Sequence, residues 1–295
     1  MENLTIALSF DYSQVEVRWL AEVSNDKLLI SQFQSGEDIH SLVGNTLTGW
    51  PVERIKKDKN IRRIVKGIVF GIIYGVNRDG LYDYIVKKIQ SVDGANADIS
   101  GISSAKTIKL YDLFFKRYTG VKNYIDFERN NVETKGFVET LFGFRREIKK
   151  VDDTRSSYWG NQAINTPIQS GAHQLILIAI ALLHIKPRTY NMLQQCVAEI
   201  HDQLLFFVPL KDLQNAYVQG KQLLEQEVVE YTAKHFQHQM QVPLISEAEA
   251  GFCFGSFTEY SGEPWQEFLP KWRKKHLEVE ARGWAKMLDE KAVLI

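Results

Sequence analysis

Leu4-Thr5-Ile6-Ala7-Leu8-Ser9-Phe10-Asp11 (LTIALSFD) is the stretch on which the fold turns. It is apolar and partly β-branched, and it runs without interruption into a carboxylate. That pattern predicts a buried strand with an acid at its end. The next residues, Tyr12-Ser13-Gln14-Val15-Glu16-Val17-Arg18, bring a second carboxylate, and from Val15 to Phe33 the apolar spacing becomes helical.

A second acid-bearing turn lies far downstream. Gln195 to Ile200 and Leu204 to Val208 read as paired strands around His201-Asp202-Gln203, so two acid-bearing strand ends can meet in one sheet. Between them, Gly36 marks a loop, and a short helical stretch follows His40 before the Gly49-Trp50-Pro51 break. Helices are expected at Ser103 to Tyr118 and Val121 to Thr134, a hairpin around Gly143 within Gly136 to Ile148, and a long apolar helix from Ile164 to Ile185 opened by Thr166-Pro167. An amphipathic helix from Leu210 to His235 and a strand-like stretch around Pro243 to Phe257 complete an α/β chain.

Composition gives little direction by itself. The 295 residues carry 36 basic and 36 acidic side chains, so any attraction for nucleic acid must be local. It is found between Arg54 and Lys66, where seven of thirteen residues are Lys or Arg against one acid, Asp58. Two distant cysteines, Cys196 and Cys253, argue against a disulfide framework or a thiolate zinc site and for a reducing compartment. The longest apolar run, Leu175 to Leu183, is short of the roughly 20 residues that span a bilayer, and the N-terminus lacks a basic export signal. No membrane association is expected.

Three constellations carry chemistry. Asp11, with Glu16 following, offers hard oxygen on a rigid strand end, as Mg²⁺ requires; the alternative is an Asp that caps the next helix. Arg62, Lys66, Phe70 and Tyr74 recur every four residues in RRIVKGIVFGIIYG, which on a helix makes one slowly winding stripe, cations first and rings after. Such a stripe suits a nucleoside triphosphate, although a solvated basic turn leading into a buried helix has the same pattern. His201-Asp202-Gln203 places an acid on a hairpin tip, where an ordinary polar turn is the other reading.

In order and spacing, DYSQVEVR, RRIVKGIVFGIIYG and EIHDQLLFFV resemble motifs A, B and C of the family A DNA polymerases, over roughly Leu4 to Phe257. Glu37-Asp38-Ile39-His40, Asn165-Thr166-Pro167-Ile168-Gln169 and Val242-Pro243-Leu244 agree with it. The resemblance implies a right-hand polymerase fold lacking thumb and exonuclease. Its antiparallel palm sheet would take residues 1–19 with motif A and 155–257 with the motif C hairpin, its largely helical fingers 20–154, and a C-terminal extension 258–295.

It further implies two Mg²⁺ ions held by Asp11, Asp202 and the Tyr12 carbonyl. Gln14, Glu16, His40, Arg62, Lys66, Phe70 and Tyr74 would bind the dNTP, with Lys66 the proton donor to pyrophosphate and Glu16 the steric gate against ribonucleotides, unlike the small residue of single-subunit RNA polymerases. Phe70 implies discrimination against dideoxynucleotides. Asn165, Gln169 and His201 would contact the primed template.

Two departures stand out. Motif C reads His-Asp-Gln rather than His-Asp-Glu, so Gln203 keeps the shape and loses the charge. Only ten residues precede Asp11, which leads to the expectation of a split phage or bacterial polymerase. Its thumb and first palm segment would be a separate N-terminal chain, and its setting the cytoplasm of a bacterium or phage-infected cell. On that expectation the sheet begun by Leu4 to Phe10 has an unpaired neighbour, which leaves an edge and apolar surface. The alternative function is a non-catalytic subunit that binds primed DNA. In the tail, Trp265, Trp272 and Trp284 among Lys271, Arg273, Lys274 and Lys275 suit either stacking on single strands or an amphipathic helix packed on its own domain.

Overall fold

A computed structural model of the chain describes residues 4–94, 99, 103–149, 156–253 and 256–276. Strand β1 (Thr5–Tyr12) leads into α1 (Val15–Ser24), α2 (Lys27–Gln34), α3 (Ile39–Thr48), α4 (Val52–Lys57) and α5 (Lys59–Ile73). Next come α6 (Leu81–Asp93), α7 (Ser104–Arg117), α8 (Thr119–Lys135), the hairpin of β2 (Phe137–Glu139) and β3 (Arg145–Glu147), and α9 (Ser156–Ile185). The last part holds β4 (Cys196–Ile200), β5 (Gln203–Pro209), α10 (Leu213–Gln222), α11 (Val228–Phe236), β6 (Ser246–Gly251), β7 (Thr258–Glu259) and α12 (Trp265–Lys275). The fold is α/β with an antiparallel sheet, as the sequence implied. Two compact units divide it: Met1–Val15, His173–Gln239 and Leu244–Ile295 form the first, Glu16–Ala172 and Met240–Pro243 the second.

The first unit is built on a five-stranded sheet in the order β4-β5-β1-β6-β7. The LTIALSFD strand is its centre, antiparallel to β5 on one side and β6 on the other. The strand itself is therefore paired on both sides. Both flanking strands come from later in the same chain, and the edge position falls to β4, whose residues are mostly exposed. Alternation along β1 buries Ile6, Leu8 and Phe10 on one face beside Leu204, Phe206, Val208, Ala248 and Ala250.

Helix α10 lies tight on that face. Phe10 stacks on Tyr217 at 6.2 Å, and a Cβ on Gly220 would meet Phe10 Cζ at 2.1 Å. The predicted single helix from Leu210 to His235 is interrupted by a π-helical turn, Leu223–Glu227, between α10 and α11. In α12, Phe268, Leu269 and Trp272 are buried, and the Trp272 Nε1 donates to the Ser256 carbonyl at 2.6 Å. Trp272 is therefore part of the core and is not offered to a ligand; Trp284 lies outside the described residues.

The second unit is helical around one core that includes Val17, Leu20, Leu29, Val43, Ile68, Ile72, Phe114, Ile125 and Ile164. The helical pattern from Val15 to Phe33 is two helices, because Asn25 takes φ 47° and Asp26 starts a new one. The Asp26 carboxylate accepts from the Leu29 N–H (3.0 Å), the Gly120 N–H (2.7 Å) and the Val121 N–H (3.2 Å), and so caps α2 and the start of α8 together.

Two further differences concern helices. α6 was not expected, although Leu81, Ile85 and Ile89 at four-residue spacing are all buried. α9 begins at Ser156, well before Thr166-Pro167, with Pro167 inside it. Pro167 costs the helix one N–H donor, and its own carbonyl accepts from Trp19 Nε1 at 3.2 Å. Over Trp159–Ile185, α9 is long and apolar enough to cross a membrane by length and composition, and half of it is buried inside the protein.

Candidate active site

In the first unit the sheet delivers Asp11 and Asp202 to the same place. Asp11 stands opposite Gln203 in β5 and opposite Glu247 in β6, and the Tyr12 N–H donates to the Asp202 carbonyl at 3.4 Å. The two acids, far apart in sequence, thus share one sheet end, close enough for the charge of Asp202 to act on Asp11. Backbone strain flanks both. Gln14 (φ 56°) turns the chain from β1 into α1, and His201 (φ 61°) forms the β4–β5 tip. A non-glycine residue in this region is held there by its surroundings, and such residues cluster at working sites.

The electrostatics are those of crowded carboxylates. The pKa of Asp11 is raised from 3.8 to about 6, chiefly by partial burial of its carboxyl, then by the charge and hydrogen bond of Asp202 and the charges of Glu247 and Glu249. The residue as a whole is exposed, so the group is crowded by protein yet open to incoming ligands. Glu247 and Glu249 were missed from sequence; their signal was the alternation in Ser246-Glu247-Ala248-Glu249-Ala250, which puts both acids on the face of Asp11. Tyr12 points to the opposite face, buried, its hydroxyl donating to the Leu224 carbonyl at 2.7 Å.

The donor set fits Mg²⁺. Two adjoining carboxylates that repel each other in the absence of a cation are relieved by one, and the ligands are hard oxygens. Among the described residues no group of three or more His, Cys, Asp or Glu side chains forms a metal cage.

In the second unit α5 carries the cationic and aromatic stripe. Its opposite face, including Ile64, Val65, Ile68 and Ile72, is buried, so Arg62, Lys66 and Phe70 are turned outward. Lys66 Nζ lies 5.6 Å from the Phe70 ring centre, Phe70 stacks on Tyr74 at 6.2 Å, and the His40 ring is 6.1 Å from Phe70. The Tyr74 hydroxyl donates to Glu16 at 3.3 Å, which joins two residues the sequence marked separately. Arg62 pairs with Asp38 at 2.9 Å, and the same carboxylate caps α3 through the Ser41 N–H at 2.9 Å.

His40 is buried, and its pKa is lowered to about 4 by that burial; Asp38 opposes the shift, and Lys66 and Arg62 add to it. The ring is therefore neutral at pH 7 and offers a hydrogen bond without charge. Asn165 and Gln169 follow one another at four-residue spacing on α9, Gln169 exposed. Among the described residues, buried polar atoms without a hydrogen-bond partner include Gln14 Oε1, His40 Nδ1 and Asn165 Nδ2. A buried polar group left unpaired is costly, and one that waits for a ligand is a reason to keep it.

Residues 1–256 match the family model described as DNA polymerase family A. The chain is 32% identical over 254 residues to DNA polymerase I of Streptococcus pneumoniae (strain ATCC BAA-255 / R6), covering 84% of this chain and 26% of that protein. It is 34% identical over 208 residues to DNA polymerase I of Chloroflexus aurantiacus, covering 70% of this chain and 20% of that one. Among solved structures it is similar to the POL domain of Pol1 from M. smegmatis in complex with DNA primer-template and dNTP. That match has a TM-score of 0.67 and 25% identity, and covers 85% of this chain and 40% of the other. The chain spans about a quarter of the length of the curated relatives it matches.

Proposed function

The chain belongs to DNA polymerase family A, and we propose that it is the catalytic part of a DNA-directed DNA polymerase that adds dNTPs to a primer 3′-hydroxyl on a DNA template. The observation that carries this reading is the meeting of Asp11 and Asp202 on one sheet end, where the Tyr12 N–H donates to the Asp202 carbonyl at 3.4 Å, with the Asp11 pKa raised to about 6. Mg²⁺ held by Asp11, Asp202 and the Tyr12 carbonyl would supply acidification of the 3′-hydroxyl and positive charge for the leaving pyrophosphate.

The remaining roles fall to this chain's own side chains. Arg62 and Lys66 hold the triphosphate as cations, and His40, neutral, donates one hydrogen bond to it. Arg62 leaves Asp38, or shares it, when the phosphates arrive. Lys66 gives its proton to pyrophosphate as the P–O bond breaks. Phe70 and Tyr74 present ring faces to sugar and base, and Glu16, held by Tyr74, crowds a ribose 2′-hydroxyl. Gln14 also faces the nucleotide, while Asn165, Gln169 and His201 contact the primed template, reading acceptors common to every correct pair.

The curated relatives extend well beyond the region this chain matches, and in this reading the working replication enzyme draws on what that further length supplies. It acts on DNA in the cytoplasm of a bacterium or a phage-infected cell. Gln203 opposite Asp11 favours a second reading, a subunit that grips primed DNA without catalysis, because one acid of the motif has become neutral. Primer extension with Mg²⁺ and dNTPs, by protein recovered from its source beside Asp202→Ala, separates the two. Extension by the wild type and not the variant is expected; equal binding of primed DNA with extension by neither establishes the second.

A further inference from the structure

We propose that the π-helical turn Leu223–Glu227 is a clamp that sets the position of Asp11, with Glu225 as a positioning residue; this rests on the polymerase reading above. π-Turns inside α-helices are uncommon and favour working regions, because the extra residue rotates everything beyond it by about 100° and redirects side chains and carbonyls. Here the redirected groups converge on one strand pair. The Leu224 carbonyl accepts the buried Tyr12 hydroxyl at 2.7 Å. Glu225 Oε1 accepts the Ser246 N–H at 2.7 Å and the Ser246 hydroxyl at 3.0 Å. Lys221, one turn earlier, pairs with Glu225 and donates to the Ser246 carbonyl at 2.7 Å.

Tyr12 and Ser246 face each other across β1 and β6, and the next facing pair is Asp11 and Glu247. The clamp therefore grips both strands one residue beyond Asp11. Because side chains alternate along a strand, it does so from the side opposite the carboxylates. Glu225 touches neither substrate nor metal; it acts through the backbone that aims Asp11 and the Tyr12 carbonyl. Partners of this kind change metal affinity by about 10- to 100-fold when removed.

The test uses the full chain, with Mn²⁺ binding read by electron paramagnetic resonance and the Tyr12 and Ser246 amides read by hydrogen exchange. Glu225→Ala is expected to weaken Mn²⁺ about tenfold and to speed exchange at Ser246. Glu225→Gln, which keeps an oxygen facing Ser246 and loses the same charge, is expected to restore most of both. Equal loss in the two variants would reduce Glu225 to a distant charge, and wild-type affinity in Glu225→Ala would remove the clamp outright. If Glu225→Ala does not fold, Tyr12→Phe stands in, with weaker Mn²⁺ expected and unchanged binding overturning the proposal. If the wild type has no Mn²⁺ site that Asp11→Asn removes, the metal reading fails separately. The exchange data then decide the clamp, faster exchange in Glu225→Ala supporting it and unchanged exchange sinking it.

Discussion

Asp11→Asn is expected to make the protein more stable near pH 8 while removing the proposed chemistry. The folded state raises the Asp11 pKa from 3.8 to about 6, so it binds this proton more tightly than the unfolded chain does. Stability from that source is complete below pH 3.8 and is lost as pH rises through about 6, so above it the ionised carboxylate opposes folding. The shift corresponds at most to about 3 kcal/mol, and because Asp11 is exposed, solvent screening brings it to on the order of 1 kcal/mol. For a chain of this size that is a rise in melting temperature of about 1–2 °C.

Thermal melts of both proteins in EDTA measure it, first near pH 8 and then near pH 4.5, where the gain should shrink to about a third. Added Mg²⁺ should raise the wild type and leave the variant nearly unmoved, since only the wild type holds the full carboxylate pair. Most substitutions destabilise, so the sign is itself discriminating. A variant that melts below the wild type near pH 8, or a gain that is the same at both pH values, would refute the account of crowded carboxylates.

Two other outcomes follow from the geometry. Gly220→Ala would drive a Cβ to 2.1 Å from the buried Phe10 ring, so a loss of about 1–3 kcal/mol is expected despite alanine's better helix propensity, read as a lower denaturant midpoint; an unchanged midpoint would show that α10 can lift off the sheet freely. For His40, with its pKa lowered to about 4 by burial, the folded state binds its proton more weakly than the unfolded chain. Stability is then present above pH 6.5 and lost as pH falls toward 4. His40→Gln should flatten urea stability across that window, and a slope equal to the wild type's would exclude His40 as its source.

Much of the layout of the candidate site was legible because it is local. The stripe Arg62, Lys66, Phe70 and Tyr74 is one helix face, and a period of four residues is visible in a string of letters. Asp11 and Asp202 were each recognisable as acids at strand ends, for the same reason. The two-helix break at Asn25-Asp26 was less visible, since Asp26 caps α2 and α8 at once and half of that arrangement lies at Gly120 and Val121. Helix α6 was overlooked although its apolar spacing was present.

The sequence alone determined which segments are strands and helices over most of the chain and which acids end strands, because each follows from neighbours within a few residues, and the order and spacing of its motifs pointed to the family. Only the tertiary structure decided that β1 is the centre of its sheet, since strand order is set by pairing with β5 and β6 from beyond residue 200. It also decided that Glu247 and Glu249 crowd Asp11, that Trp272 belongs to a core, and that a π-turn grips Tyr12 and Ser246. Burial, register and the electrostatics that follow from them arise when distant segments exclude water from one another, and no local pattern records which segments those are.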